Sequence, residues 1–333
     1  MPKLVITSII VLTLLAGGYF LVQKNFNKIQ TLTSEKLILA ENDQPYLALV
    51  FIASQKGFFK DENLDVTLKN FPSGKDALAD ALAGNSDIAT VGESPVVNQV
   101  NQGQNVAIIT SLYTSTKNTA LIARRDSDIN RTADFKGKRI AVTKGTTGEF
   151  FLFSYLVSQG IQLSDVLLVD ANAKDMKNLL KQDKVDAVVV LNPDFYEIRK
   201  AFPSDFISIF QSDVYTNTSV LAGRQDKIVA KKEALVRLLR ALVKAQKLVE
   251  SNREEAIRLV VNALPNVSEE SIRGSWDEFT PGLGLNNVLL TVLTNEANWF
   301  YKNGVYPNQP PDFRKFLFTN YLKEVDPKTV TVY

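Results

Sequence analysis

Between residues 37 and 123, short apolar runs and helix-patterned stretches take turns, and the same rhythm restarts between 134 and 213. Leu37, Ile38, Leu39 and Ala40 form an apolar run ended by Glu41, Asn42 and Asp43, which predicts a strand followed by a loop. Pro45 suits the first turn of a helix running to Ser54. Residues 64–68 alternate apolar and polar side chains, as a strand does. Ala77, Leu78, Ala81 and Leu82 share one helical face over 76–83, with Gly84 placed to cap it. Strands follow over 87–91 and 106–112. In the second run, strands over 139–142, 166–169 and 185–191 alternate with helices over 147–159, closed by Gly160, and 175–181. Strands spaced by helices imply βαβ units and mostly parallel sheets, so the two runs predict two α/β lobes. Residues 119–123 and 218–222 read as extended crossings between them. Beyond Lys231 the pattern is helical. Leu235, Leu238, Leu239, Leu242, Ala245 and Val249 make one apolar face, with Arg237, Arg240, Lys244 and Lys247 largely elsewhere. That face is expected to pack on its own lobe. Further helices are predicted over 253–263, 269–279 and 289–303.

A length of 333 residues also favours two lobes. The chain contains no cysteine and no histidine. Structural disulfides, thiol nucleophiles and thiolate metal sites are therefore excluded, as are the commonest general base and the commonest transition-metal ligand. No cofactor is expected. A net charge of +2 gives no case for nucleic acid, which needs a concentrated basic face. At the start, Lys3 precedes an uncharged apolar run over 4–22, after which Gln23, Lys24 and Asn25 are polar. A basic start and an apolar run match an export signal, and the run is long enough for an uncleaved anchor. Residues 1–30 are thus expected to be a signal peptide or membrane anchor, with the rest outside the cytoplasm: in the periplasm or on the outer face of the cytoplasmic membrane. Leu15, Ala16, Gly17 and Gly18 resemble a lipobox, but glycine stands where the lipid-bearing cysteine would be.

In open parallel sheets, ligands bind beyond the carboxyl ends of the strands. The loops expected there are polar and rich in small residues: 42–46, 71–74, 92–95, 113–116, 144–149 and 192–194. Gly145 to Gly148 ends a strand and opens a helix, where free amides and the helix dipole attract anions. The spacing is not that of a Walker loop, and capping by Thr146 or Thr147 would explain it as well. Glu149 would compete with an anion for the same amides. Glu93 and Asp194 are also expected to face the cleft, and three carboxylates together favour an amine or zwitterion over a bare anion. As a pair, Glu93 and Asp194 are the candidates for acid and base in an enzyme.

The stretch from Pro45 through Gly57, Phe58, Phe59, Lys60, Asp61, Glu62, Asn63, Leu64, Asp65 and Val66 resembles the opening of nitrate/sulfonate/taurine-type ABC transporter substrate-binding proteins. The similarity continues through Ser73 and Gly74, through 81–89 and through 135–142, in order and spacing, and covers most of residues 37–250. The resemblance implies a type II periplasmic-binding-protein fold. Lobe one would comprise 37–123 plus 222–333 and lobe two 124–221, joined by two hinge crossings. It implies a non-enzymatic monomer that closes on a small-molecule ligand (a sulfonate, amine, zwitterion or pyrimidine-like solute) and delivers it to an ABC permease in the membrane. Carried over by motif, the cleft would be lined by Gln44, Pro45, Ser73, Gly74, Glu93, Ser94, Thr114, Thr146, Thr147, Glu149 and Asp194. Many sulfonate binders have a histidine where this chain has Gly148 or Glu149. The fold also resembles enzymes that make the thiamin pyrimidine or act in menaquinone synthesis, and those that depend on a histidine are excluded. Two other functions use the same features: a membrane-anchored extracytoplasmic ligand sensor, and a carboxylate-based extracytoplasmic enzyme.

Overall fold

The computed structural model describes residues 34–211 and 215–332, so the apolar segment over 4–22 and the expected leader lie outside the described residues. Among the described residues no helix is long and apolar enough to cross a membrane.

Eleven strands form two sheets. The first holds six: β1 (Glu35–Glu41), β2 (Leu64–Asn70), β3 (Ile88–Gly92), β4 (Val106–Ser115), β10 (Asn217–Arg224) and β11 (Thr280–Gly284), in the spatial order β11-β4-β10-β3-β1-β2. The second holds five: β5 (Thr119–Arg124), β6 (Arg139–Val142), β7 (Leu167–Asp170), β8 (Ala187–Leu191) and β9 (Ile207–Phe210), ordered β7-β6-β8-β5-β9. The βαβ pattern is visible in the parallel pairs β1 with β3, β6 with β7 and β6 with β8. Both sheets are nonetheless mixed. The strand that enters the second sheet, β5, runs antiparallel to β8 and β9, and the strand that returns, β10, runs antiparallel to β3 and β4. The chain changes sheets between Ser115 and Thr119 and again between Phe210 and Asn217. Seams drawn at 123/124 and 221/222 fall inside β5 and β10, because both crossing strands are hydrogen-bonded into a sheet along their length.

Both faces of the second sheet are covered. Along β5, Leu121 and Ala123 join one core cluster while Ala120 and Ile122 join another, and Val189 and Val188 divide the same way on β8. A strand's two-residue period makes this sorting automatic, and burial on both faces explains the unbroken apolar runs in the sequence. In the first sheet, Leu37 and Leu39 face the large core, whereas Ala40 and Ala89 meet Ala77 and Ala81 of the helix Gly74–Leu82. Small residues on both sides let that helix lie close, which brings its N-terminus to the tip of the sheet. Ser73 caps it, accepting from the Asp76 amide at 3.2 Å, and Gly84 closes it with a left-handed φ of +86°.

Several elements differ from the sequence expectation. Glu93–Asn101 is a helix rather than a loop; Pro95 sits in its first turn, where a missing N–H costs nothing. Asp194–Ala201 is likewise a helix, and β4 runs to Ser115 instead of Leu112. The helix predicted over 269–279 stops at Ser275 and passes through a 3-10 turn into β11. In the long helix Lys232–Ser251, Arg237 is buried rather than on a solvent face, its guanidinium donating to the Asn63 carbonyl at 3.0 Å and to Glu233 at 3.0 Å. That helix packs on the helices Ala48–Gln55 and Thr319–Val325 of its own half, as its apolar stripe requires.

Candidate functional site

The carboxyl ends of β1, β2 and β3 face those of β6, β7 and β8 across a cavity of about 370 Å³. From the first sheet come Asn42, Gln44, Ser73, Gly74, Lys75 and Gly92; from the second come Thr143, Thr146, Thr147, Gly148, Asn172 and Asp194. The two halves touch across it. The Lys75 ammonium donates to the Lys144 carbonyl at 2.8 Å. Deeper in, a Cβ on Gly92 would lie 2.4 Å from the Thr147 hydroxyl oxygen, so glycine is what lets the β3 tip meet the other half. At the rim, Ser268 donates to the Glu197 carboxylate at 2.9 Å, Ser271 bonds the same carboxylate, and Lys200 pairs with Glu270.

Among the helices that begin at this cavity are Gly74–Leu82, Glu93–Asn101 and Thr147–Ser158. The first-turn amides of a helix have no intrahelical acceptor. Ser73 satisfies one on the first helix, but Gly92 and Thr146 make no side-chain cap on the other two. The Thr146 hydroxyl instead donates to the Thr143 carbonyl at 2.7 Å, so capping by this threonine is not what the glycine-threonine turn does. Glu149 does take a loop amide, accepting from Gly145 at 2.7 Å. Burial raises the pKa of its carboxyl, and the Gly145 amide opposes that rise. The wall carries Tyr46 and Tyr113, whose ring centroids are 4.7 Å apart. Burial raises the Tyr46 phenol's pKa, a hydrogen bond with Asn42 opposes that rise, and nearby Asp194 and Glu93 add to it. Burial, then the neighbouring Glu197, pushes Asp194 up to about 6, against the pull of Lys177. As a carboxylate it accepts hydrogen bonds from a cation.

Of the residues expected at the cleft, Gln44, Ser73, Gly74, Thr146, Thr147 and Asp194 line the cavity. Pro45, Glu93, Ser94, Thr114 and Glu149 do not. Pro45 is buried in the short turn between Gln44 and Tyr46. Thr114 belongs to the extended β4, and the two-residue period turns its neighbour Tyr113 toward the cavity instead. Glu93 and Ser94 are fully buried beneath the floor, in the first turn of their helix. The Glu93 carboxylate accepts from the Thr218 amide at 2.9 Å, and burial raises its pKa. Glu93 and Asp194 accordingly do not form an acid–base pair facing one substrate. Residues not singled out from the sequence include Tyr46, Tyr113, Lys75, Asn172 and Lys174. Both tyrosines stand inside loops whose polarity draws notice, one position from a chosen residue, and their chemistry was the available signal. Among the described residues no cluster of carboxylates is arranged to hold a metal ion.

Known proteins share this architecture. The chain is 23% identical over 254 residues to a protein of Brucella abortus named as a binding protein, covering 75% of this chain and 77% of that one. The structure of the periplasmic aliphatic sulphonate binding protein SsuA from Escherichia coli superposes with a TM-score of 0.72 at 19% identity, covering 86% of this chain and 99% of the other. The alkanesulfonate-binding protein SsuA from Xanthomonas axonopodis pv. citri, bound to MOPS, gives 0.74 at 15% identity, with the same coverage of 86% and 99%. Two sheets facing across a cleft are thus the α/β fold of periplasmic binding proteins. The model of the NMT1/THI5-like family matches residues 44–256, most of the first sheet, all of the second and the cavity between them, and the chain belongs to that family.

Proposed function

We propose that this chain is the extracytoplasmic solute-binding protein of an ABC importer, taking a small polar molecule into the cleft between its sheets and passing it to a membrane permease. One observation carries this: the cavity is built in equal measure from the strand tips of both sheets, so a solute there contacts both halves at once. Such a ligand favours the arrangement in which both sets of contacts form, and its differential affinity drives closure. A micromolar solute supplies about 8 kcal/mol, enough to bias a hinge whose states differ by a few. We divide the chain into lobes of 37–123 plus 222–333 and 124–221, shifted by a few residues to keep β5 with its sheet. Export, through or anchored by the segment over 4–22, and action as a monomer without nucleic acid complete the proposal. The Brucella abortus and Escherichia coli proteins above are named for binding, and burial of Glu93 leaves the Glu93–Asp194 pair not facing one substrate.

Within the solutes the family suggests, the cavity favours a zwitterion. Helix starts without side-chain caps at Gly92 and Thr146, with Lys75 and Lys174 nearby, suit an anionic group. Asp194 beside Tyr46 suits an ammonium. Titration calorimetry of the full chain with taurine, ethanesulfonate and ethylamine tests this. Taurine, carrying both charges, is expected to bind at least about tenfold tighter than either half-molecule. Equal or better binding of ethanesulfonate would reject the zwitterion. If no member of a wider panel of amines, sulfonates, pyrimidines and oxoanions binds or compacts the protein in scattering, solute capture itself falls.

A further inference from the structure

Four buried polar atoms beneath the cleft lack a hydrogen-bond partner: Oε1 of Glu93, Oγ of Ser94 and both carboxyl oxygens of Glu296. All three residues are fully buried. Glu93 and Ser94 open the helix Glu93–Asn101, and Glu296 comes from the helix Asn287–Lys302 packed on it. The Ser94 hydroxyl stands close to both carboxyls. Among the described residues neither acid has a salt bridge. Burial raises the pKa of both, and the charge of Glu93 raises that of Glu296 further. One donor distinguishes them. Glu93 accepts from the Thr218 amide at 2.9 Å, with the Thr147 hydroxyl also near it, whereas no backbone N–H reaches Glu296. The titratable groups that sense the pair from other elements are Tyr46 and Tyr113, beside Glu93, and Tyr306, beside Glu296. Burial, the first cause in each case, raises all three phenols, so they stay neutral and supply no countercharge.

Two neighbouring carboxyls in an interior without a cation cannot both hold a charge. The acid with a fixed N–H donor keeps its charge, and the acid without one takes the proton. That proton turns Glu296 from an acceptor into a donor. Given to the Ser94 oxygen, it leaves the Ser94 hydrogen for the free oxygen of Glu93, so a single proton supplies partners for three of the four orphaned atoms. We propose that Glu296 is a positioning residue for the cleft: held as a neutral acid, it fixes Ser94 and through it the Glu93 carboxylate, which fixes the Thr218 amide and the Thr147 hydroxyl. Thr218 lies on β10, in the first sheet, and Thr147 lines the cavity from the other half, so the relay sets the floor where the halves meet. Its consequence for solute capture rests on the cleft being the solute site.

Infrared difference spectroscopy of the full chain against Glu296→Gln near pH ~8, well above the ordinary glutamate range, reads the proton directly. A neutral carboxylic acid has a carbonyl stretch that a carboxylate lacks. The band is expected in the unaltered chain, absent from Glu296→Gln and shifted in Ser94→Ala. Hydrogen exchange at the Thr218 amide reads the positioning without any solute. Exchange is expected to stay slow in Glu296→Gln, whose amide N–H donates as the acid does, and to quicken at least about tenfold in Glu296→Ala. Taurine affinity, measured by calorimetry, is expected to follow the same order. The proposal is overturned by absence of the band, by a Gln variant as damaged as the Ala variant, or by an Ala variant whose Thr218 amide exchanges as in the unaltered chain. Failure of the unaltered chain to bind taurine would count against the solute reading, while the band and the Thr218 exchange still decide this one. If Glu296→Ala fails to fold by circular dichroism, Ser94→Ala replaces it: faster Thr218 exchange supports the relay, and unchanged exchange overturns it.

Discussion

One helix, Thr147–Ser158, borders two cavities of opposite character. At its start, Thr146, Thr147 and Gly148 present hydroxyls and backbone to a space ringed by loops from both sheets. One to two turns on, Phe150 and Ser154 line a groove with Tyr215 and Trp299. The first cavity recognises with main chain and small side chains, which only work where two chain segments can approach closely. The second is walled by large side chains held by packing. Polar loops at strand tips signal the first kind, whereas the second leaves no mark in a sequence, because Phe150, Tyr215 and Trp299 look like any other core residues.

The strongest way to separate the two is Gly92→Ala. A methyl group 2.4 Å from the Thr147 oxygen must push the halves apart or rotate a buried side chain. Solute binding in the interlobe cleft is expected to fall by about a hundredfold or more, with expansion in small-angle scattering. Unchanged binding and dimensions would show that the halves do not need to meet at Gly92. Asp194→Asn should have the next largest effect, weakening taurine by about ten- to a hundredfold and ethanesulfonate hardly at all, read by calorimetry. A uniform loss for both would assign Asp194 to the fold instead.

The smallest effect concerns two acids near the interlobe cleft. Burial, the nearby Asp43 and a weaker opposing bond from Asn70 leave Glu41 raised to about 7, and Asp194 is raised to about 6. In the unfolded chain these groups ionise near 4.5 and 3.8. Between those limits the folded state holds more protons than the unfolded one, so stability falls as pH rises. Urea midpoints are expected to be higher near pH ~5 than near pH ~8, and Glu41→Gln should flatten the slope. A midpoint that climbs with pH over this window would show that the acids are solvated.

The alternation of strands and helices was legible because burial on both sheet faces leaves unbroken runs such as Val188, Val189 and Val190. Pairing direction was not, since an antiparallel β5 or β10 carries the same residues as a parallel strand would. Ser73, Gly74, Thr146, Thr147 and Asp194 were legible for a shared reason: each ends a strand or opens a helix. Glu93 met the same criterion and was misplaced, because Gly92 leads directly into a helix and turns the carboxylate under the floor. Thr114 failed by one residue, the distance that reverses a strand's facing.

The rim contacts between Glu197 and Ser268, and between Lys200 and Glu270, join partly exposed side chains. Such pairs are individually worth about 0–1 kcal/mol in water. A fastening that weak adds little of its own to keeping an empty vessel shut. Anything that grips the outer edge, as a docking membrane protein would, meets little resistance in prising it loose.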